Sequence, residues 1–228
     1  MFEIKKDPTR IHILATGAGH ELAPRDTNAV VYALNDYVYT ERYQIIPDML
    51  FMMDSLEEKP QVISGAQNLG ETIQRVNQMK IPFVGPYKYE EIPLSEAFPL
   101  EEAVKEFGFA YFTNTICYMI AYAILKGAKE IHLYGVNQAG SSEYTEERGG
   151  VEAWLGFALG RGIQVTINGK NSQLFRYKGR YGEGLLYGYG VDYHTVMENN
   201  KRFGETIIKK LLKPRPPYSR TMRSFKAK

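Results

Sequence analysis

Residues 113–137 read TNTICYMIAYAILKGAKEIHLYGVN. Three small hydrogen-bonding residues open this stretch, and an apolar helical run follows until a Lys-Gly pair stops it. A short apolar strand, residues 131–134, then breaks at Gly135 and leaves Asn137 just beyond its carboxyl end. A helix start rich in Thr and Asn offers N–H groups to a phosphate, and parallel sheets bind ligands beyond the carboxyl ends of their strands. The stretch therefore predicts one half of an α/β nucleotide site.

The matching half lies near the N-terminus, where the apolar run 11–15 leads directly into a Thr-Gly-Ala-Gly turn. Short apolar runs bounded by Gly, Pro, Asn or Asp alternate with helical patterns along most of the chain. The predicted strands are 11–16, 29–34, 50–53, 81–84, 130–134 and 164–167, and the predicted helices are 66–79, 100–107, 115–126, 150–160 and 196–212. Strands separated by helices need crossover connections. We therefore predict an α/β, Rossmann-like fold with a mostly parallel sheet and helices on both faces.

The chain is predicted to contain one catalytic domain followed by a C-terminal extension. Residues 1–175 form the Rossmann-like nucleotide-binding domain, and residues 176–228 contain a Gly- and Tyr-rich loop, the last helix and a basic tail. Within the domain, four prolines in the segment 81–99 predict an extended connector or an edge strand, because proline lacks the N–H that a central strand needs. The Gly-rich loop, GRYGEGLLYGYG at 179–190, is either a mobile lid or an ordered surface loop.

The composition is that of an ordinary soluble globular protein. The 228 residues are 44% apolar, and no apolar run approaches the roughly 20 residues that span a bilayer. The N-terminal segment lacks the apolar core of a signal peptide. The only cysteine, Cys117, falls inside the apolar helix, where a buried structural thiol is expected, and a lone cysteine excludes a disulfide framework. We therefore predict a cytoplasmic protein without a membrane partner.

Charge is distributed unevenly along the chain. The formal net charge is +2, but residues 209–228 carry eight Lys or Arg and no Asp or Glu, while the remainder carries 20 basic against 26 acidic residues. A mildly acidic body with a basic, proline-interrupted tail predicts an arm that contacts a polyanion such as nucleic acid. The alternatives are a solvated tail and a contact with a neighbouring subunit of a homo-oligomer.

Several nucleotide and metal motifs are incomplete. Residues 17–19 begin a dinucleotide fingerprint, but Leu22 replaces its third glycine, which argues against an NAD site. Residues 65–70 have the glycine spacing of a P-loop without the lysine that must follow. Neither an Asp-x-Asp pair nor a zinc-like spacing of His and Cys occurs. We therefore expect no cofactor and no metal site, with the backbone N–H groups of 17–19 lying close to a ligand.

Polar residues follow the ends of three apolar strands: Asn35, Asp54 and Asn137. Each alone is a common turn residue, but parallel strands bring all three ends to one edge of the sheet, where Asn and Asp hydrogen-bond a base and a ribose. They predict a pocket for a nucleotide or a nucleotide-linked donor. Residues of the helix start and of two glycine turns complete it: Gly17, Ala18, Gly19, Thr113, Asn114, Thr115 and Gly135.

The segment 141–150, SSEYTEERGG, is polar and precedes the predicted helix 150–160. Carboxylates beside a tyrosine and an arginine supply a general base and charge stabilisation. The candidate catalytic residues are therefore Tyr144, Glu146, Glu147 and Arg148. The alternative is a solvated helix N-terminus, where the helix dipole favours acidic residues.

The stretch 113–137, with the Ser-Ser-x-Tyr that follows at 141–144, resembles the second half of bacterial sialyltransferases of the Campylobacter type. That family has a Thr-Ser-Gly start, an apolar helix, a KEI-L-G strand and a downstream Gly-Ser-Ser-Tyr. The similarity continues to the Asn-Ser pair at 171–172 and more loosely includes the N-terminal glycines and Asn35, so that it covers about residues 11–175. The chain also resembles uncharacterised phage proteins and, more remotely, 6-hydroxymethylpterin diphosphokinases of the archaeal type.

The resemblance implies roles for individual residues. Four residues would hold the nucleotide: Gly17, Asn35, Asp54 and Asn137. Residues 113–115 would lie at the phosphate or the sugar, and Tyr144 would hydrogen-bond the leaving phosphate. The family's catalytic histidine has no counterpart near 145–147. Either Glu146 or Glu147 takes that role, or the donor and reaction differ, or the chain is not catalytic.

Together these features predict a metal-independent glycosyltransferase whose donor substrate is a CMP- or UDP-linked sugar. If the gene comes from a phage, a DNA modification is the predicted reaction, because the basic tail favours DNA as the acceptor. The alternative enzyme is a pyrophosphokinase of the 6-hydroxymethylpterin diphosphokinase type, which needs a divalent cation. The alternative from a different class is a nucleotide- or nucleic-acid-binding protein without chemistry.

Deleting residues 214–228 tests the predicted role of the tail. A segment with many Lys and Arg residues binds phosphates by releasing counterions, so its affinity falls steeply with salt. The deletion should weaken binding to DNA or RNA and leave nucleotide affinity in the pocket unchanged, as measured by fluorescence anisotropy across a salt series. A full-length protein that binds no nucleic acid at low ionic strength would show that the tail has another function.

Overall fold

The computed structural model describes residues 5–38, 45–56, 68–140, 142–169, 171–177 and 180–181. The chain divides into two compact units, Met1–Leu174 and Phe175–Lys228. The predicted helix 196–212, the basic tail and most of the Gly-rich loop lie outside the described residues. None of the helices in the described ranges is long and apolar enough to cross a membrane.

The first unit is built on a sheet of seven described strands, in which every pairing is parallel. The strands are β1 Asp7–Leu14, β2 Ala29–Leu34, β3 Met49–Phe51, β4 Phe83–Gly85, β5 Ser95–Ala97, β6 Glu130–Tyr134 and β7 Gln164–Asn168. Their order in the sheet is β5-β4-β3-β2-β1-β6-β7. This arrangement confirms the predicted Rossmann-like α/β fold.

The described α-helices of this unit are α1 Leu69–Met79, α2 Leu100–Phe107, α3 Thr115–Leu125 and α4 Ser142–Gly160. Asparagine side chains cap two of them: that of Asn68 accepts a hydrogen bond from the N–H of Glu71, and that of Asn114 accepts one from the N–H of Cys117. An Asn at this position satisfies one of the N–H groups that a helix start leaves without a partner. These caps explain why α1 and α3 begin where they do.

Helices α1 and α3 cover opposite faces of the sheet. Side chains alternate between the two faces along a strand. Val31 and Ala33 of β2 belong to the same buried cluster as Val76 of α1. Tyr32, which lies between them in sequence, contacts the ring of Tyr122 in α3 at 5.9 Å between centroids. Helices on both faces, as the sequence predicted, are therefore confirmed.

Strands β1 and β6 form the switch point of the sheet. From β1 the chain builds outward through β2 to β5, whereas β6 pairs with the other side of β1 and is followed outward by β7. The connections that leave the carboxyl ends of β1 and β6 therefore diverge to opposite sides, which opens a crevice between them. Ligands of open α/β sheets bind in such a crevice.

The structure corrects the predicted start of the last described helix. Helix α4 begins at Ser142, whereas the sequence predicted a helix over 150–160 after a polar segment, for which a solvated helix N-terminus was one of two interpretations. Gly149 and Gly150 lie inside the helix although glycine is a poor helix former. A Cβ atom at position 150 would lie 2.1 Å from Oγ1 of Thr113, so the helix carries glycine there to pack against the loop before α3. Tertiary packing overrides the local propensity.

The segment 81–99 also differs from its prediction as a connector or edge. It contains two strands, of which β5 is at the edge but β4 lies inside the sheet between β3 and β5. The prolines flank these strands and interrupt neither, so no ladder hydrogen bond is lost: Pro82, Pro86, Pro93 and Pro99. The second unit contributes a short antiparallel pair, β8 Arg176–Tyr177 and β9 Arg180–Tyr181.

Two single residues show how the sheet and α3 bury polar groups. Cys117 is buried in α3, as predicted, and burial raises the pKa of its thiol. His12 in β1 is 5% exposed, and its Nδ1 atom has no hydrogen-bond partner in the described part of the chain. Burial, followed by the positive charges of His132 and Arg10, lowers the pKa of His12 to about 4. His12 therefore folds as a neutral imidazole.

Replacing His12 by Phe should weaken the pH dependence of stability. The folded pKa of about 4 is below the ordinary value of 6.5, so the unfolded chain binds more protons as pH falls through that window, and folding stability decreases. The loss approaches about 3 kcal/mol at the acidic limit. Urea unfolding at pH 7.5, 6, 5 and 4.5 should show a smaller decline for His12→Phe than for the wild type. If the free energy of unfolding falls equally with pH in the variant and the wild type, His12 is not a neutral buried imidazole.

Candidate functional site

A cavity of about 700 Å³ opens at the carboxyl ends of the strands, within the first unit. Its walls come from the turns after β1, β2, β3 and β6, the start of α3 and the first turns of α4. It therefore occupies the crevice at the switch point of the sheet. The polar residues on its wall are Thr16, Asn35, Asp36, Asp54, Thr113, Asn114, Thr115, Tyr118, Asn137, Gln138, Glu143, Tyr144 and Glu147.

The floor of the cavity is a contact between two backbone turns. The N–H of Gly17, after β1, donates to the carbonyl of Gly135, after β6, at 3.1 Å. A Cβ atom on Gly17 would lie 2.3 Å from that carbonyl oxygen, and one on Gly135 would lie 2.2 Å from the carbonyl oxygen of Ala15. Gly135 also has a φ of 69°, a conformation that favours glycine. Both positions therefore require glycine for close approach of backbone to backbone.

This contact corrects one expectation from the sequence. The N–H groups of 17–19 were expected to approach a ligand, but that of Gly17 bonds to Gly135, and that of Gly19 donates to the carboxylate of Glu21 at 2.9 Å. Both donors are already satisfied within the chain. Gly17 shapes the wall of the cavity, whereas Ala18 and Gly19 do not line it.

The start of α3 supplies the backbone donors instead. The side chain of Asn114 accepts from the N–H of Cys117, the third residue of the helix. The N–H groups of Thr115 and Ile116, the first two residues, have no acceptor among the described residues, and both residues line the cavity. Two aligned N–H groups at the positive end of a helix attract an anionic oxygen.

Helix α4 is fixed to this helix start by two hydrogen bonds. Oγ1 of Thr113 donates to the backbone carbonyl of Glu147 at 2.7 Å, and Nδ2 of Asn114 donates to the carboxylate of Glu147 at 3.0 Å. Gly150, one turn further along α4, leaves room for Thr113. Because of these contacts, the carboxylate of Glu147 lies at the cavity beside the N-terminus of α3.

Three amide oxygens on the wall are buried without a hydrogen-bond partner in the described ranges, those of Asn35, Asn137 and Gln138. Asn35 and Gln138 also have left-handed backbone conformations, with φ of 39° and 49°. Unpaired buried acceptors and backbone strain both cost free energy, and they concentrate where a ligand supplies the missing contacts. Unpaired acceptors and left-handed backbone therefore cluster among the residues that line the cavity.

Most of the predicted site residues meet in this cavity. Those that line it are Gly17, Asn35, Asp54, Thr113, Asn114, Thr115, Gly135, Asn137, Tyr144 and Glu147. Four predicted site residues lie outside the wall: Ala18, Gly19, Glu146 and Arg148. Glu146 is exposed on α4, and Nε of Arg148 lies 3.6 Å from Glu152 in an ion pair along the helix.

Sequence reasoning missed several residues of the wall: Thr16, Asp36, Phe112, Tyr118, Gln138 and Glu143. Asp36 and Gln138 follow predicted strand-end residues directly, and this adjacency was an available signal. Tyr118 lies one turn inside an apolar helix, where its pattern is that of a core residue. Glu143 precedes the predicted start of the helix at residue 150, so the direction of its side chain was not predictable.

The described wall carries acidic groups without basic ones. Four carboxylates line the cavity, those of Asp36, Asp54, Glu143 and Glu147, whereas no Lys, Arg or His occurs among the lining residues that the structure describes. Within the described ranges, no group of three or more His, Cys, Asp or Glu is arranged to hold a metal ion. The wall thus consists mainly of hydrogen-bond acceptors, with donors concentrated at the start of α3.

Comparison with protein-family models finds no match, and no curated protein matches the chain. Among solved structures, the fold is similar to that of the sialyltransferase CstII from Campylobacter jejuni in complex with CMP-3FNeuAc, with a TM-score of 0.50 and 18% identity over 78% of this chain and 88% of that chain. A variant of the sialyltransferase CST-II in complex with CMP gives the same TM-score and identity, over 78% and 89%. The resemblance predicted from the sequence is confirmed at the level of the fold.

Alanine substitutions at two glycines of α4 test the packing that fixes this helix. Gly150→Ala should lower the free energy of unfolding by about 1–3 kcal/mol, because the new methyl group meets Thr113. Gly156→Ala is the matched control, since nothing lies within 4 Å of a Cβ atom there and alanine favours a helix by up to about 1 kcal/mol. Urea unfolding should separate the two variants in opposite directions. Equal stabilisation of both would show that Thr113 does not pack against Gly150.

Proposed function

We propose that this protein is a glycosyltransferase that uses a nucleotide-activated sugar. The observation that carries the proposal is the cavity at the switch point, where N–H groups at the start of α3 without an acceptor among the described residues lie beside the carboxylate of Glu147. Two solved structures of similar fold are sialyltransferases in complex with CMP or with CMP-3FNeuAc. This likeness supports a nucleotide-linked sugar as the ligand of the cavity.

The nucleoside lies, in this proposal, at the ends of β2 and β3. Asn35 and Asp54 line the cavity there, and Asn137 lines it beyond β6. The side-chain amides of Asn35 and Asn137 hydrogen-bond the base, and the carboxylate of Asp54 accepts from the ribose hydroxyls.

The phosphate lies at the start of α3. The N–H groups of Thr115 and Ile116 and the helix dipole stabilise the charge that grows on the phosphate oxygen as the sugar leaves. Tyr144, which is half-exposed on α4 and lines the cavity, adds its hydroxyl as a donor. Two of these three donors are backbone groups of α3, so their geometry is set before the substrate binds.

Glu147 acts as the general base in this mechanism. Its carboxylate removes the proton from an acceptor hydroxyl while the acceptor oxygen attacks the anomeric carbon of the sugar. The bond between that carbon and the phosphate oxygen breaks, and its electron pair remains on the departing nucleotide. Glu147 is favoured over Glu146 because Glu147 lines the cavity and is oriented by Asn114, whereas Glu146 is exposed on α4.

Metal independence, the DNA acceptor, the phage origin and the cytoplasmic location remain proposals. Independence of metal ions rests on the absence of an Asp-x-Asp pair from the sequence. The DNA acceptor, the phage origin and the cytoplasmic location rest on sequence features alone, and the acidic wall does not favour a polyanionic acceptor. Full transfer activity in EDTA is the expected result, whereas activity that requires added Mg²⁺ would favour the pyrophosphokinase alternative.

Glutamine substitutions on α4 distinguish the two candidate bases. Glu147→Gln should lower kcat by about 10²- to 10⁴-fold, because the amide accepts the hydrogen bond from Asn114 but cannot accept a proton. Glu146→Gln should leave kcat within about twofold of the wild type. Release of nucleotide from CMP- and UDP-linked sugars, with water as the acceptor, measures both rates.

Binding measurements separate loss of chemistry from loss of structure. CMP and UMP should bind Glu147→Gln as tightly as the wild type by calorimetry. A large loss of kcat in Glu146→Gln with an active Glu147→Gln would overturn the assignment of the base. A wild-type protein that binds nucleotides but releases none from any nucleotide sugar would favour the non-catalytic alternative.

A further inference from the structure

One side of the cavity is distinct from the nucleoside side, and we name it the sugar end. It lies between the start of α3 and the first turns of α4, and its residues are Phe112, Tyr118, Glu143, Tyr144 and Glu147. In the proposed function, the phosphate at the α3 N-terminus separates this end from the base and ribose. The transferred sugar must therefore occupy the sugar end.

We propose that the sugar end selects a neutral or amino-bearing sugar and rejects a sugar acid, with Glu143 as the residue that determines this charge preference. The inference rests on the proposed function and extends it to the class of donor. The inferred donor class does not include CMP-3FNeuAc, the ligand of the solved structure of similar fold. It follows instead from the residues that line the cavity of this chain.

The first observation is the charge of the sugar end. Glu143 and Glu147 both line it, and the described lining residues include no Lys, Arg or His to pair with an acidic sugar. Glu143 is exposed on α4 and makes no hydrogen bond or ion pair with any described residue. A sugar carboxylate at this end would meet a like charge, whereas an amino group would meet an opposite one.

The second observation is the shortage of donors at the sugar end. The carboxylates of Glu143 and Glu147 line this end as acceptors, and no Lys, Arg or His lies among the described lining residues. Hydroxyl and ammonium groups donate hydrogen bonds, whereas an ionised carboxylate only accepts them. A ligand rich in hydroxyl or amino groups therefore suits the wall, and a carboxylate adds one more acceptor.

The third observation is the aromatic lining of the sugar end. The rings of Phe112 and Tyr118 stack at 4.3 Å between centroids with an interplanar angle of 18°. Phe112 also stacks on the buried Trp154 at 4.9 Å, so the pair is held rigidly from behind. Rigid aromatic rings suit the apolar C–H groups of a sugar ring and offer nothing that offsets the desolvation of an anionic substituent.

Three donors that share the glucose ring and differ in one charged substituent test the proposal. Competition against a fluorescent nucleotide gives the Kd of UDP-glucosamine, UDP-glucose and UDP-glucuronic acid, with EDTA present so that no divalent cation bridges two carboxylates. We expect UDP-glucuronic acid to bind about 3- to 10-fold more weakly than UDP-glucose, and UDP-glucosamine to bind at least as tightly as UDP-glucose. Raising the salt should reduce the differences, because salt screens exposed charges.

Glu143→Gln tests the residue directly. The substitution should reduce the ratio of the Kd of UDP-glucuronic acid to that of UDP-glucose by about 2- to 3-fold. Glu101→Gln is the matched control, because it removes one exposed carboxylate from α2 without touching the cavity and should leave the ratio unchanged. Circular dichroism of both variants verifies that the fold is retained.

The possible results separate this inference from the proposed function. If UMP does not bind but CMP does, the comparison becomes CMP against CMP-linked sialic acid, and the sialic acid should weaken binding. Tighter binding of the acidic sugar in either series, or a ratio that Glu143→Gln leaves unchanged, overturns the inference and leaves the glycosyltransferase proposal standing. A protein that binds no nucleotide and no nucleotide sugar overturns both.

Discussion

The site depends on the contact between the turns that follow β1 and β6. Parallel pairing brings the carboxyl ends of these strands side by side, and the hydrogen bond from Gly17 to the carbonyl of Gly135 joins the turns just beyond them. Neither Gly17 nor Gly135 has room for a Cβ atom, because the two backbones are in contact there. This junction forms the floor of the crevice, so that the strand ends, the start of α3 and the first turns of α4 surround one cavity.

Glu147 combines a structural role with the proposed chemical role. Its carbonyl and carboxylate anchor α4 to Thr113 and Asn114, and the same carboxylate is the proposed base. A hydrogen bond from a neutral amide orients a carboxylate without neutralising it, which suits a group that must accept a proton. These hydrogen bonds also place the base next to the N–H groups that bind the departing phosphate. The packing of two helices therefore positions both the proposed base and the groups that stabilise the leaving phosphate.

Several residues of the cavity wall adopt arrangements that cost folding free energy. Buried amide oxygens without partners and left-handed backbone at Asn35 and Gln138 lower the stability of the folded chain. Such features are rare in cores, where acceptors are paired, and here they share one wall with four carboxylates. The four carboxylates make the wall rich in acceptors, so a ligand that carries donors suits it, and this links the proposed nucleotide to the inferred charge of the sugar.

The sequence by itself determined the alternation of strands and helices, the parallel sheet and the meeting of Asn35, Asp54 and Asn137 at one edge, because these follow from local periodicity and from the direction of parallel strands. Only the tertiary structure decided the rest. The helix predicted to begin at residue 150 begins at Ser142, and Gly150 lies inside it, where Thr113 occupies the space of a Cβ atom. The N–H of Gly17 was expected to approach a ligand, but it donates to the carbonyl of Gly135. Such contacts join residues far apart in the chain, and no local pattern encodes them.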